Sequence, residues 1–200
     1  MIVLGLTGSI GMGKSNAATM LRRLGVPVHD ADAAVHRLLG PGGSAVRRVA
    51  EIFPAALVGN RIDRKRLGDL VFGDTAALRR LESILHPMVR KSSRDFLGWA
   101  RRRRLPVVVL DIPLLFESGA DTTVDRVIVV SAPKSIQRLR VLARPGMTEE
   151  KFRAILARQV PDAEKRRRAD YVVMTGGPLG QTWRQLRLIL RDARRRARRR

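Results

Sequence analysis

Continuous apolar runs and apolar positions at helical spacing alternate along this chain. Met1-Ile2-Val3-Leu4-Gly5-Leu6-Thr7 has almost no polar position and reads as a buried parallel strand. Ala17, Ala18, Met20, Leu21 and Leu24 then recur at helical spacing, which predicts a helix from Asn16 that stops at Gly25. Val26-Pro27-Val28-His29 reads as a short strand ending in Asp30-Ala31-Asp32, and helical patterning resumes over 33–39. Gly40-Pro41-Gly42-Gly43 is a loop by composition, with Ser44 placed to cap a helix over 45–52. From Asp63 to about Arg104 the pattern gives helices and no strand: Leu67, Leu70, Val71, Leu78, Leu81, Leu85 and Val89 keep helical spacing, and Pro87 sets a boundary near His86. Strands return over 106–112, 125–130 and 170–174, followed by helices over 114–118, over 134–143 and from Leu179. Pro145-Gly146 breaks the second of these, and Thr148 with Glu149 and Glu150 opens another. Strands separated by helices predict a parallel α/β sheet with right-handed crossovers. The helical stretch of about seventy residues after the second strand is too long for a simple crossover and reads as a cap.

Between the first strand and the first helix stands Gly8-Ser9-Ile10-Gly11-Met12-Gly13-Lys14-Ser15, which fits G-x-x-x-x-G-K-[ST], the P-loop. Such a string arises by chance in on the order of one chain in a hundred of this length. Strand before and helix after are the setting its chemistry needs: glycines let the backbone approach an anion, and amide N–H groups with the helix dipole point at it. Gly8, Gly11, Met12, Gly13, Lys14, Ser15 and Asn16 are the candidate ATP-binding set, with Lys14 on the β- and γ-phosphates and the Ser15 hydroxyl on Mg²⁺. Arg140 and Arg144 share one helix face at i,i+4 beside the Pro-Gly break. Spacing leaves two readings open for them, a phosphate clamp that closes over the site or a solvated face.

Composition fits one domain: 200 residues, 44% hydrophobic, with a sizeable core and room for inserted parts. Zero cysteines exclude disulfides and thiolate metal sites and favour a reducing compartment. No apolar run approaches the ~18 residues of a membrane span, and no basic region precedes the apolar N-terminus, so a cytoplasmic protein is expected. The net charge of +22 would ordinarily suggest nucleic acid. Its distribution argues otherwise: residues 191–200 hold seven Arg and one Asp, a basic tail of +6 that leaves +16 over the other 190. Further Arg clusters at 101–104 and 166–168 complement helix ends, and 4% aromatics leave no stacking platform. Non-specific contact through the tail is the only nucleic-acid binding expected.

Several segments together resemble the dephospho-coenzyme A kinase family over nearly the whole chain. They are Leu6 to Ser15, Val28-His29-Asp30-Ala31-Asp32, Leu85-His86-Pro87, Ile112-Pro113-Leu114-Leu115-Phe116-Glu117, Gln137-Arg138 through Arg144, and Gln159 followed by Ala169-Asp170. The resemblance implies a five-stranded parallel P-loop core (1–32, 105–133, 166–190), a helical substrate-binding part (33–104) and a mobile helical lid (134–165). It implies transfer of the ATP γ-phosphoryl group to the ribose 3′-hydroxyl of dephospho-coenzyme A, the step that completes coenzyme A synthesis, and a monomer is the expected state. Another P-loop kinase of nucleosides or nucleotides, or a nucleic-acid-dependent ATPase, is the alternative. Asp32 resembles the family's carboxylate at the acceptor hydroxyl, with Asp30 its competitor and helix cap. His86 resembles a substrate-side residue, or terminates a helix before Pro87. Asp111 either assists Mg²⁺ through water or satisfies nearby backbone. Arg140 and Arg144 match the lid arginines. The chain departs from the family at Asn16, usually Thr, at Ala154, often Arg, and at Met174-Thr175-Gly176, where an Asn near the adenine is common.

Overall fold

A computed structural model describes residues 1–199. The chain divides into two compact units, Met1–His29 with Ala100–Arg200, and Asp30–Trp99. In the first, strand β1 (Ile2–Thr7) is buried at all six positions, as its unbroken apolar run requires. It pairs in parallel with β5 (Val107–Asp111), Ile2 opposite Val107 through Leu6 opposite Asp111, and with β6 (Arg126–Ser131), Leu4 opposite Arg126 through Thr7 opposite Val129. Strand β7 (Tyr171–Met174) lies beyond β6 and the short β2 (Val28–Asp30) beyond β5, so the five-stranded order is β2-β5-β1-β6-β7.

Both faces of this sheet are covered, and the two-residue alternation of a strand divides its side chains between them. On β6, Ile128 and Val130 join the larger core, with Leu4 and Leu6 of β1. Helix α1 (Lys14–Arg23) adds Ala17, Ala18 and Leu21 to it, and helix α9 (Leu179–Ala197) adds Leu186, Ile189, Leu190 and Ala193. Val127 and Val129 face the other way, onto Leu115 and Phe116. Leu115 and Phe116 sit in a run of turns rather than the helix expected over 114–118. Ser118 N–H reaches Leu114 and Ala120 N–H reaches Leu115, while Thr7 Oγ1 donates to Pro113 O at 2.9 Å. That anchor and the two buried side chains fix a compact turn where a helix would lift Phe116 off the strands.

In the second unit, α2 (Ala31–Leu39) and α3 (Val46–Ile52) lead into a two-stranded hairpin, β3 (Leu57–Val58) with β4 (Arg61–Ile62). Helix α4 (Arg64–Val71) and the 28-residue α5 (Thr75–Arg102) follow. Three expectations change here. Ser44 caps nothing: Ala45 is the N-terminal cap residue of α3 and is fully buried. The insertion is not wholly helical, since the Gly59-Asn60 turn closes the hairpin. The third change is at Pro87, which stands inside α5 instead of ending a helix near His86. One missing N–H is tolerated because Leu81 and Leu85 before it and Met88 after it pack into one cluster with Leu39, Phe53 and Leu67.

The remaining helices belong to the first unit. Helix α6 (Lys134–Leu142) ends before Gly146, whose φ of 71° makes the break. Helix α7 (Glu149–Ala157) starts at Thr148, whose hydroxyl accepts from Lys151 N–H, and α8 (Asp162–Arg168) precedes β7. The boundary drawn at residue 190 for a basic tail has no counterpart. Helix α9 continues to Ala197, Ala193 is fully buried, and Asp192 accepts from Tyr171 Oη at 2.6 Å.

Candidate active site

Strand β1 delivers its last residue, Thr7, to the glycine loop, and α1 starts at Lys14 directly after it. Gly13 caps the helix in a left-handed conformation, φ 86°, that a side chain would strain. Gly8 is required for space: a Cβ there would stand 2.8 Å from the Val130 carbonyl oxygen of β6. Helix α1 has no side-chain cap and no acid in its first turn, so its leading N–H groups and positive dipole end are left for an anion. Met12 donates its N–H to Ser9 O at 3.1 Å. Its side chain is buried in the core, its sulfur accepts from Ala132 N–H at 3.1 Å, and its carbonyl accepts from Thr175 Oγ1 at 2.7 Å.

Lys14 Nζ lies 2.8 Å from Asp111 Oδ1 at the C-terminal end of β5. Of the two roles open to Asp111, neither names this partner; the buried carboxylate holds the lysine at the mouth of the loop. Ser15 and Asn16 are exposed on the first turn of α1. Arg140 reaches the same place from α6. Its guanidinium donates to Thr175 O at 2.6 Å and Thr175 Oγ1 at 3.1 Å, and approaches Gly11 O at 3.5 Å. Arg144 is exposed two residues beyond the end of α6, in the break before Gly146 and not on the helix face that the i,i+4 spacing implied. Thr175, one of the three residues that depart from the family pattern, thus joins the loop to Arg140.

Two glutamines complete the loop's support. Gln137 Nε2 donates to Ile10 O at 2.7 Å, and Gln159 Oε1 accepts from Ile10 N–H at 3.1 Å. Their long-range pairing leaves no trace in local pattern; the resemblance picked out both residues without a role. Beside Gln159, Val160 N–H donates to Glu117 Oε1 at 2.9 Å, and Lys165 Nζ lies 2.8 Å from the same oxygen. Lys165 is completely buried. Burial alone would raise the Glu117 pKa, but the lysine and the backbone donor outweigh it and hold the carboxyl below its ordinary value.

The other two candidates belong to the second unit. Asp30 is the cap of α2, accepting from Ala33 N–H at 2.9 Å, whereas Asp32 is exposed in the first turn. Asp32 lines a cavity of about 310 Å³ with His36, Arg64 and an apolar wall that includes Leu39, Leu67 and Leu85. Arg64 touches the His36 ring at Nδ1 from 2.7 Å. His86 is exposed on α5, next to Leu85.

Comparison with known proteins agrees with this architecture. The family model for dephospho-CoA kinase matches residues 2–179. A Paramagnetospirillum magneticum dephospho-CoA kinase is 60% identical over 166 residues, 83% of this chain and 78% of its own. A Rhodopseudomonas palustris dephospho-CoA kinase is 51% identical over 200 residues, the full length of both chains. Among solved structures, a Thermus thermophilus protein superposes with TM-score 0.83 at 39% identity, covering 96% of this chain and 97% of its own. Dephospho-CoA kinase from Campylobacter jejuni gives 0.67 at 24% identity, covering 96% of each, a likeness of fold. The glycine loop, its lysine and the five-stranded parallel sheet therefore sit in a chain that belongs to the dephospho-CoA kinase family.

Proposed function

We propose that the chain moves the γ-phosphoryl group of ATP onto the ribose 3′-hydroxyl of dephospho-coenzyme A, with the residues around the glycine loop as its phosphate site. The observation that carries this reading is the convergence on one loop of an uncapped helix N-terminus, Lys14 and Arg140. The backbone N–H groups of Gly11, Gly13, Lys14 and Ser15 and the Lys14 ammonium bind the β- and γ-phosphates. Arg140 and Arg144 offset charge on the transferring group and exclude water. Asp32 accepts or orients the proton of the attacking hydroxyl. The new bond joins the 3′-oxygen to the γ-phosphorus, the bond from that phosphorus to the β–γ bridging oxygen breaks, ADP leaves and the proton passes to Asp32. His86 contributes on the acceptor side.

Among the described residues no group of three or more His, Cys, Asp or Glu could hold a metal by itself. A single hydroxyl, Ser15 Oγ, at the head of α1 suits an ion that arrives with the nucleotide and keeps phosphate and water oxygens as its other ligands. Mg²⁺ bound there would neutralise charge on the β- and γ-phosphates. No helix among the described residues is long and apolar enough to cross a membrane. The reading is tested by ADP release with ATP–Mg²⁺ alone and with dephospho-coenzyme A, adenosine, AMP or DNA added. Turnover is expected with dephospho-coenzyme A at rates well above the others; equal or greater turnover with adenosine or AMP would move the acceptor to a nucleoside or nucleotide.

A further inference from the structure

The helical hairpin that carries Arg140, with Arg144 in its turn, holds one residue of the glycine loop, Ile10, from both sides. Its first helix, α6, sends Gln137 to the Ile10 carbonyl, and the segment after its second helix, α7, sends Gln159 to the Ile10 N–H. Because both partners are backbone groups of fixed polarity, the orientation of each side-chain amide follows from the bond it makes. Both feet are firmly held. Gln137 is buried, and its own N–H bonds to Pro133 O at 2.9 Å. Gln159 precedes Val160, which is tied to Glu117 and through it to the fully buried Lys165. The two helices are joined higher up by the Arg138–Glu149 pair at 2.9 Å, while the tip around Pro145-Gly146 is exposed.

We propose that Gln137 and Gln159 are positioning residues for phosphoryl transfer. By bonding the N–H and the C=O of Ile10 from opposite ends of one hairpin, they hold the two peptide planes that meet at the Ile10 Cα, hence the aim of the N–H groups that follow, and set Arg140 against the same loop. This rests on the phosphate-site reading above. It assigns a task to two polar side chains, one of them buried, whose amides bond the loop backbone. Because the two planes meet at one Cα, losing either bond loosens the backbone at Ile10, and losing the second adds little.

The test uses the full chain with Gln137→Met, Gln159→Met and the double variant, together with Gln137→Glu and Gln159→Glu. Each methionine variant is expected to lower kcat about tenfold and to weaken a non-hydrolysable ATP analogue about fivefold, as for loss of one hydrogen bond. Its melting temperature should stay within about 4 °C of the parent. The double variant should fall no more than about threefold below the poorer single one. The glutamate pair separates positioning from mere packing. Gln159→Glu keeps an acceptor for the Ile10 N–H and should hold kcat, at saturating ATP, within about threefold of the parent. Gln137→Glu sets a carboxylate against the Ile10 carbonyl and should be as poor as Gln137→Met. Multiplying losses in the double variant, like behaviour of the two glutamate variants, or activity losses that follow the unfolded fraction would each overturn the assignment. Nucleotide binding is read without any acceptor, so a parent protein inactive on dephospho-coenzyme A would count against the acceptor reading and leave this one to the binding arm.

Discussion

Asp30 and Asp32 differ by one intervening residue and by the chemistry their surroundings allow. The Asp30 side chain caps α2 through Ala33 N–H, while Asp32 is exposed beside His36 and Arg64. Asp30→Asn is therefore expected to cost up to about 1 kcal/mol of stability with turnover largely kept. Asp32→Asn should lower turnover at saturating dephospho-coenzyme A by about 10²–10⁴-fold with ATP affinity held. Kinetics and melts of the two variants side by side check this, and reversed results would exchange the roles. Lys14 makes a second residue-scale case, because its partner in the structure is a carboxylate that is 2% exposed. Lys14→Ala should remove several orders of magnitude of turnover and also destabilise by about 1–3 kcal/mol, since the buried Asp111 carboxylate loses the cation that faces it. Adding Asp111→Asn should restore most of the melting temperature and none of the turnover. Recovery of turnover in that double variant would take Lys14 out of the chemistry.

At the scale of elements, α8 is tied to the turns after β5 by the buried Glu117–Lys165 ion pair, beside the apolar contact of Val160 and Ala169 with the Leu115 and Phe116 cluster. Glu117→Gln leaves the Lys165 ammonium, fully out of water, against a neutral amide, and about 3 kcal/mol of stability should go with it. The pH dependence has a definite sign. A carboxyl held below its ordinary value of 4.5 when folded contributes stability above that pH and loses it as pH falls further. Urea midpoints between pH 3 and 6 should therefore slope less steeply in Glu117→Gln than in the parent; identical slopes would mean the pair carries no linked stability. Helices α1, α6 and α7 were legible in the sequence because each repeats its apolar residues over two turns or more and is bounded by a glycine after it or a capping threonine before it. The hairpin was missed because strands of two residues show no period, although Gly59-Asn60 between them was an available turn signal. Pro87 misled because a local rule about the preceding residue ignores what burial on both sides of it contributes.

Over the whole molecule the excess of arginine changes meaning. Four of them, Arg126, Arg195, Arg196 and Arg199, line a cavity of about 280 Å³ with Ile2 and Asp125, and Asp192 pairs with Arg195 at 3.0 Å and Arg196 at 2.7 Å. The C-terminal residues are thus fastened to the sheet. Removing 191–200 takes away buried Ala193 and the Asp192 partner of Tyr171, so it should destabilise by at least about 2 kcal/mol. Removing only 198–200 should leave melting and turnover unchanged. Equal melting temperatures for the two truncations would return the segment to the status of a tail. The sequence by itself determined the five strands of the parallel sheet, the glycine loop and the family, because these rest on contiguous residues: an unbroken apolar run, a fixed spacing of glycines, short strings in a fixed order. The tertiary structure alone decided that Asp111 holds Lys14, that Gln137 and Gln159 hold Ile10 from either side, and that α9 packs to its end. Each of those joins residues dozens to more than a hundred positions apart, through polar groups whose partners follow from how the chain folds back and not from any local pattern.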